Sequence, residues 1–207
     1  VMFSRGLKKL SVVTAVAALL GVAFFVPQPV QAQGKLSFSI ATGGTGGVWY
    51  PLGGAIGGVV GKKVANTEAT AEATTAAIDN LKLLTAGRAG MAFCYDYHVV
   101  WANEGKVPGL TGKHNVRMVM GFYEQPLHIA TKEGTGIASL MDLKGKRVST
   151  GAPNSGTEEQ ADYVLKGLGI DWNKDFTREK LGATESVAAL KDGKIHAFFW
   201  SGAIPTS

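Results

Sequence analysis

Two kinds of short apolar pattern alternate along most of the chain. Residues 36–41 alternate apolar and polar side chains, which predicts a half-buried strand. Residues 75–86 instead carry Ile78, Leu81 and Leu84 on one helix face, with Thr75 as the predicted N-cap. The same two periods predict further strands at 67–73, 91–95, 116–122, 127–131, 147–150 and 195–200, helices at 51–63, 157–168 and 186–191, and a helical turn at 139–143.

This order of elements predicts an α/β fold with mainly parallel strand pairing. A strand, a loop of small residues and a helix follow one another twice, at 36–63 and again at 147–168. The repetition favours two lobes, each with its own strand–loop–helix unit.

The first 32 residues have a pattern of their own. Arg5, Lys8 and Lys9 precede an apolar run at 10–26, and small residues surround Ala32. These three parts predict a secretory signal peptide cleaved near Ala32, at residues 1–32. Because the apolar run is about long enough to cross a bilayer, an uncleaved membrane anchor is the alternative.

Charge excludes one class of partner. The whole chain has a formal net charge of +5, but residues 1–32 hold three basic and no acidic side chains, so residues 33–207 carry only +2. The remaining basic residues form short clusters at 62–63 and 144–147 rather than a continuous stripe. We therefore expect no nucleic-acid partner.

Cysteine and histidine usage argues against a metal or cofactor. Cys94 is the single cysteine, and its apolar neighbours predict an inert core position. The four histidines are far apart and lack metal-ligand spacing; they are His98, His114, His128 and His196. No cofactor and no metal are expected.

Two glycine-rich or small-residue loops are the strongest candidates for a binding site. Residues 43–47 follow a predicted strand and open a helix, and residues 152–157 do the same in the second half. A helix N-terminus presents unpaired N–H groups and partial positive charge, and glycine lets a ligand approach the backbone. Such loops suit a carboxylate or phosphate, although a simple turn is the alternative for either loop alone.

Known nucleotide and nucleophile motifs are absent from these loops. A dinucleotide fingerprint starting at Gly44 would need glycine where Trp49 stands. A phosphate loop before Lys62 would need glycine at Ile56, and no G-x-S-x-G sequence occurs. The residues therefore favour a binding protein over an enzyme.

Aromatic residues accompany the loops. Core packing explains most such residues, but Tyr50, Tyr95 and Trp200 stand where predicted strands end or helices begin. Ligands of open α/β sheets bind at such ends. These three aromatic residues are predicted to lie at a cleft.

Several segments resemble one family. Residues 44–54, with the sequence GTGGVWYPLGG, resemble the opening motif of the TAXI family, the extracytoplasmic solute receptors of TRAP transporters. Further similarity covers residues 72–74, 79–81, 124–128, 142–148, 151–157 and 191–200, so that it extends over nearly all of residues 36–204. The first and last of these motifs are the more specific ones. Residues 74–76 are Thr-Thr-Ala where relatives often have Gly-Gly-Ser.

The resemblance implies a type II periplasmic-binding-protein fold, with two α/β lobes around a cleft. The first lobe would occupy residues 33–125 and the second residues 126–207. Relatives continue beyond the position of Ser207, so both lobes are expected to be incomplete and the C-terminal part to be missing. Residues 33–207 alone are therefore expected to fold poorly, with an unpaired sheet edge, and to bind weakly.

The resemblance also implies a function. It implies a monomeric periplasmic or extracytoplasmic receptor, not an enzyme, that captures a small organic acid or amino acid, glutamate-like in some relatives. The ligand would be delivered to integral membrane subunits of a TRAP transporter. A ligand sensor of the same fold and, less favoured, an extracytoplasmic enzyme remain alternatives. The predicted ligand-binding residues are Thr45, Gly46, Gly47, Tyr50, Thr75, Tyr95, Gln125, Ser155, Gly156, Thr157 and Trp200.

Overall fold

The structure is a computed structural model that describes residues 34–204. The predicted signal peptide at residues 1–32 lies outside the described residues. In chain order the elements are β1 (Leu36–Ala41), α1 (Trp49–Lys63), β2 (Thr67–Glu72), α2 (Ala77–Thr85), β3 (Met91–Ala92), α3 (Asp96–Glu104), β4 (Leu127–Thr131), a 3₁₀ turn (Leu140–Leu143), β5 (Arg147–Ser149), α4 (Gly156–Gly167), β6 (Thr177–Glu179), α5 (Ala183–Lys191) and β7 (Ala197–Ser201).

The strands form two sheets. The first has the order β2-β1-β3 and is wholly parallel, with Ile40 paired to Met91 on one side and Ala71 on the other. The second has the order β4-β7-β5-β6, in which β4 runs antiparallel to β7 and the other pairs are parallel. The predicted α/β class with mainly parallel pairing is confirmed. We call the part around the first sheet the first lobe and the part around the second sheet the second lobe.

Glycines of α1 allow it to lie close against the first sheet. Gly53 and Gly57 face β2, and a Cβ at Gly57 would overlap the backbone carbonyl of Ala69. Gly54 and Gly58 point to open space on the opposite face. The buried pair of glycines therefore allows close packing of the helix on the sheet.

The start of α2 differs from the prediction. Thr75 does not cap this helix, because the N-cap position is Ala76, held at a positive φ of 84° without a side-chain cap. The side chain of the preceding residue, Thr74, makes hydrogen bonds at this helix start instead. Its hydroxyl accepts a hydrogen bond from Ala76 N and donates one to the side-chain oxygen of Asn80. Asn80 is fully buried, and its amide nitrogen donates to the carbonyl oxygens of Thr42 and Phe93. This amide ties β1, β3 and α2 together.

The segment between the two sheets departs most from the sequence prediction. The strand predicted at 91–95 ends at Ala92, and a helix that was not predicted, α3, follows. The strand predicted at 116–122 does not form, and Met118, Val119 and Met120 are exposed. Its alternating apolar residues have no sheet to join, because within residues 34–204 the first sheet ends at β3. β3 is therefore an edge strand of the first sheet within the described residues.

The second lobe has its core between its sheet and α4. Val148, Leu165 and Phe199 are among the buried residues of this core. Val164 and Leu168 of the same apolar sequence pattern lie outside this core and are 37% and 46% exposed. The buried face of α4 runs through Ala161 and Leu165, one helical turn apart, which leaves the neighbouring positions on the solvent side.

No helix among residues 34–204 combines the length and the apolar character that a bilayer span requires.

Candidate functional site

Four helices begin at a single cleft between the two lobes. The lining includes the residues before α1, α2, α4 and α5, and the cleft has a volume of about 420 Å³. The first N–H groups of a helix have no partner within it, and each N-terminus carries partial positive charge. A cleft lined by four such ends suits an anionic group.

The first loop is braced from within the first lobe. Gly47 N donates to Gly44 O at 2.9 Å, which folds the loop into a turn before α1. Thr74 N donates to Gly43 O at 3.2 Å and thereby joins this loop to the start of α2. Both helix starts are thus held in place together by backbone hydrogen bonds.

Hydroxyl groups organise the second loop. Ser155 is the N-cap of α4, and its Oγ accepts from Glu158 N at 3.1 Å. Thr157 Oγ1 accepts from Ser201 N at 3.1 Å, in a buried position. Because a hydroxyl also carries one proton, both side chains can still donate to a ligand in the cleft.

An ion pair outside the cleft supports the second loop. Arg178 Nη2 lies 2.5 Å from Glu158 Oε1, and the other carboxylate oxygen of Glu158 accepts from Asn154 N at 2.8 Å. The guanidinium also lies 3.3 Å above the ring of Trp172. Burial lowers the pKa of Arg178, and the charge of Glu158 counteracts that effect. The loop therefore has a fixed charged support outside the cleft.

Tyr95 joins the lobes at the cleft. Its hydroxyl donates to Ser201 Oγ at 2.7 Å, and its ring lies against Gly156. The ring also stacks on Tyr97 with centroids 5.4 Å apart. Burial raises the pKa of Tyr95 to about 12, and the hydrogen bond to Ser201 partly opposes this shift. Tyr95 is thus a neutral donor at neutral pH.

The charged side chains of the lining come from one loop. Lys180 and Glu185 stand on either side of the start of α5, and both are exposed. Their charges have opposite sign, so the side chains leave the lining close to neutral. The positive potential that the lining presents therefore comes mainly from backbone N–H groups and helix ends.

Ten of the eleven residues predicted from sequence line the cleft. They are Thr45, Gly46, Gly47, Thr75, Tyr95, Gln125, Ser155, Gly156, Thr157 and Trp200. Tyr50 is not among the lining residues. It follows Trp49 in α1, and successive helix residues point about 100° apart, so with Trp49 on the cleft side Tyr50 is turned away.

A third loop was missed by the sequence analysis. Residues 180–185 line the cleft, and the hydroxyl of Thr184 lies against Gly46 of the first loop. The helix was predicted to begin at residue 186, whereas α5 begins at Ala183. Glycine and threonine are common at helix starts, so Gly182 and Thr184 were the sequence signal that could have placed the start of α5 correctly.

The residues outside the cleft give little sign of other chemistry. Burial raises the pKa of the Cys94 thiol to about 11, with the Asp96 charge adding to the shift, which fits an unreactive side chain. Cys94 lies after β3 rather than in a strand, and it is half-buried rather than fully buried. Within residues 34–204 no three potential metal-ligating side chains of His, Cys, Asp or Glu come together.

Two α/β lobes around a cleft that helix N-termini line define the type II periplasmic-binding-protein fold, and solved structures share it. One is the alkanesulfonate-binding protein SsuA from Xanthomonas axonopodis pv. citri bound to MOPS, with 17% identity, 84% of this chain and 56% of that chain covered, and a TM-score of 0.55. A protein from Bordetella bronchiseptica RB50 has 20% identity, coverage of 83% and 52%, and a TM-score of 0.58. A third, from a study of glutathione import via GshT and the cystine ABC importer TcyBC of Streptococcus mutans, has 13% identity, coverage of 81% and 68%, and a TM-score of 0.53.

The family follows from the sequence itself. A family model described as NMT1-like matches residues 40–207, so the chain belongs to the NMT1-like family. The chain spans about half of the length of the first two structures above, which are covered to 56% and 52%.

Proposed function

We propose that this protein is an extracytoplasmic solute-binding receptor that captures a small carboxylate-bearing ligand. The observation that carries the proposal is the convergence of four helix N-termini on one cleft of about 420 Å³. A cleft of this size suits a small organic acid or amino acid. The resemblance to the TAXI family favours a glutamate-like ligand. The receptor would act as a monomer and deliver this ligand to the membrane subunits of a TRAP transporter.

The lining also explains how such a ligand is held. Hydroxyls of Thr45, Ser155 and Thr157 supplement the backbone donors of the helix starts. Trp49 and Trp200 supply apolar walls, which favour a ligand with a carbon skeleton over an inorganic anion. Lys180 and Glu185 offer opposite charges, so an amino acid finds a partner for each of its ionised groups.

Ligand identity is tested directly. Native mass spectrometry of the purified protein, followed by calorimetry with L-glutamate, a dicarboxylate and an alkanesulfonate, should show that a carboxylate binds more tightly than the alkanesulfonate. Tight binding of the alkanesulfonate alone would contradict the carboxylate. Uptake in vesicles with TRAP membrane subunits should then require a sodium gradient, and uptake driven by ATP would contradict the TRAP assignment.

Replacing Ser155 by glycine should weaken ligand binding. Glycine is nearly as good an N-cap as serine, so the helix is kept while the ligand loses one hydroxyl donor. A hydrogen bond to a charged group contributes about 1.5–3 kcal/mol, so the dissociation constant should rise by about 10- to 150-fold in calorimetry.

Ser139 provides the matched control. It caps the 3₁₀ turn through a capping box with Asp142, and it does not line the cleft. Ser139→Gly should leave the affinity unchanged. Equal affinities of wild-type protein and the Ser155→Gly variant would remove Ser155 from the site.

Export makes a separate prediction. If residues 1–32 are a cleaved signal, the exported protein should begin near Gln33. N-terminal sequencing of protein recovered outside the cytoplasm checks this. Recovery of residues 10–26 in a membrane fraction would instead indicate an anchor.

A further inference from the structure

A buried hydrogen bond between a histidine and a glutamate joins the two lobes beside the cleft. His98 Nε2 of α3 lies 2.6 Å from Glu159 Oε2 of α4, at hydrogen-bond distance. The side chains are 0% and 6% exposed, so the contact is closed to solvent. α3 packs with the first lobe, where Ala102 contacts Ile78 and its neighbours, whereas α4 packs on the second sheet.

Other groups direct donors at the same carboxylate. Tyr97 OH donates to Glu159 Oε2 at 3.3 Å, and Tyr163 OH donates to Oε1 at 3.5 Å. Burial raises the pKa of Tyr97, and the Glu159 charge adds to the shift. Donors on both oxygens suit an ionised Glu159.

His98 is only partly satisfied even with this partner. Its Nδ1 is buried and has no hydrogen-bond partner among the described residues. Without Glu159, a buried imidazole would have both ring nitrogens unpaired, which is costly. Glu159 in turn would be a buried charge without its closest donor. Each residue therefore needs the other as long as the lobes stay together.

The pair lies next to the binding machinery. Glu159 is one helical turn after Ser155, the N-cap of the helix that opens the second loop. Tyr95, whose ring centroid is 5.4 Å from that of His98, reaches the cleft on the other side. Among the described residues the chain passes between the sheets once, from β3 to β4, so non-covalent contacts set the angle between the lobes.

We propose that Glu159 and His98 are positioning residues that form a latch between the lobes and hold the cleft in its closed geometry. This inference rests on the proposed function in one respect: closure of the cleft matters only if the cleft binds a ligand. Separation of the lobes would expose both groups to water and remove the latch. Neither residue contacts the cleft itself, so the latch acts on the ligand through the lobe angle.

The distance between the lobes tests the latch without any ligand. Spin labels on Lys63→Cys of α1 and Lys191→Cys of α5, both exposed positions, in a Cys94→Ser background report the separation by pulsed electron resonance. Glu159→Gln removes the charge at nearly constant shape. The ratio of closed to open populations should fall by about tenfold or more, because a hydrogen bond to a charged group is replaced by a weaker one. His98→Leu should widen the distances further, since it leaves the buried Glu159 carboxylate without its closest donor.

Two further variants make the result decisive. Asp162→Asn removes the partner of Lys166 on the same helix, an exposed pair within one lobe, and should leave the distances unchanged. The double variant His98→Leu with Glu159→Met should restore the closed population, because no buried charge remains. Unchanged distances in Glu159→Gln would overturn the latch. So would loss of cooperative folding in that variant, which would show a structural role in one lobe. Because no ligand is used, failure of ligand binding leaves this test intact.

Discussion

Replacing Gly57 by alanine is expected to destabilise the protein strongly. A methyl group there would overlap the Ala69 carbonyl, with the carbonyl carbon only 3.0 Å from the new Cβ. The obstacle is backbone in the middle of β2, so either α1 or the strand must move. Such overpacking costs about 1–3 kcal/mol or more, and the free energy of unfolding in urea should fall by that amount.

Gly58 gives the opposite expectation one residue later. A Cβ at Gly58 meets nothing within 4 Å, and the residue is exposed in the same helix. Gly58→Ala should therefore raise stability by about 0.5–1 kcal/mol through helix propensity alone. Similar stability of the two variants would contradict the described packing of α1 on the sheet.

Replacing Gly156 by alanine is expected to weaken ligand binding without unfolding either lobe. A Cβ at Gly156 would lie 2.7 Å from Cζ and 2.8 Å from the hydroxyl of Tyr95, which belongs to the other lobe. The ring must shift, and its hydrogen bond to Ser201 would be lost. Overpacking between the lobes makes closure of the cleft less favourable by about 1–3 kcal/mol. The dissociation constant of the ligand should therefore rise by about 5- to 150-fold in calorimetry.

Gly167 is the matched control for this effect. It ends the same helix, α4, and a Cβ there meets nothing within 4 Å. Gly167→Ala should bind as the wild-type protein does. The melting curve of Gly156→Ala should remain cooperative, and wild-type affinity in that variant would mean that the closed contact between Tyr95 and Gly156 is not used in binding.

The sequence allowed much of the fold to be predicted because most elements carry their own periodicity. β1 and β4 have the predicted bounds, and the two loops before α1 and α4 both line the cleft. Strand alternation and glycine placement are local signals, so both can be recognised from neighbouring residues without knowledge of the rest of the chain.

Features that depend on distant partners were not predicted. The alternation at residues 116–122 indicates a strand, but a strand also needs a neighbour, which the described part of the chain does not supply. β6 has only three residues and shows no pattern that marks a strand. The pairing of His98 with Glu159 spans 61 positions, and nothing near either residue signals it.

The tryptophans give the protein a built-in optical reporter. Trp200 lies against Gly47 of the other lobe, and Trp49 lines the same cleft. Trp101 of the first lobe packs edge to face against Tyr163 of the second lobe. Trp172, in contrast, lies beneath Arg178 within the second lobe. Separation of the lobes would expose the faces of Trp200 and Trp101 that contact the other lobe, and would leave Trp172 as an internal reference. Emission wavelength and quenching by iodide can therefore follow ligand titration in unlabelled protein, at concentrations far below those that calorimetry needs.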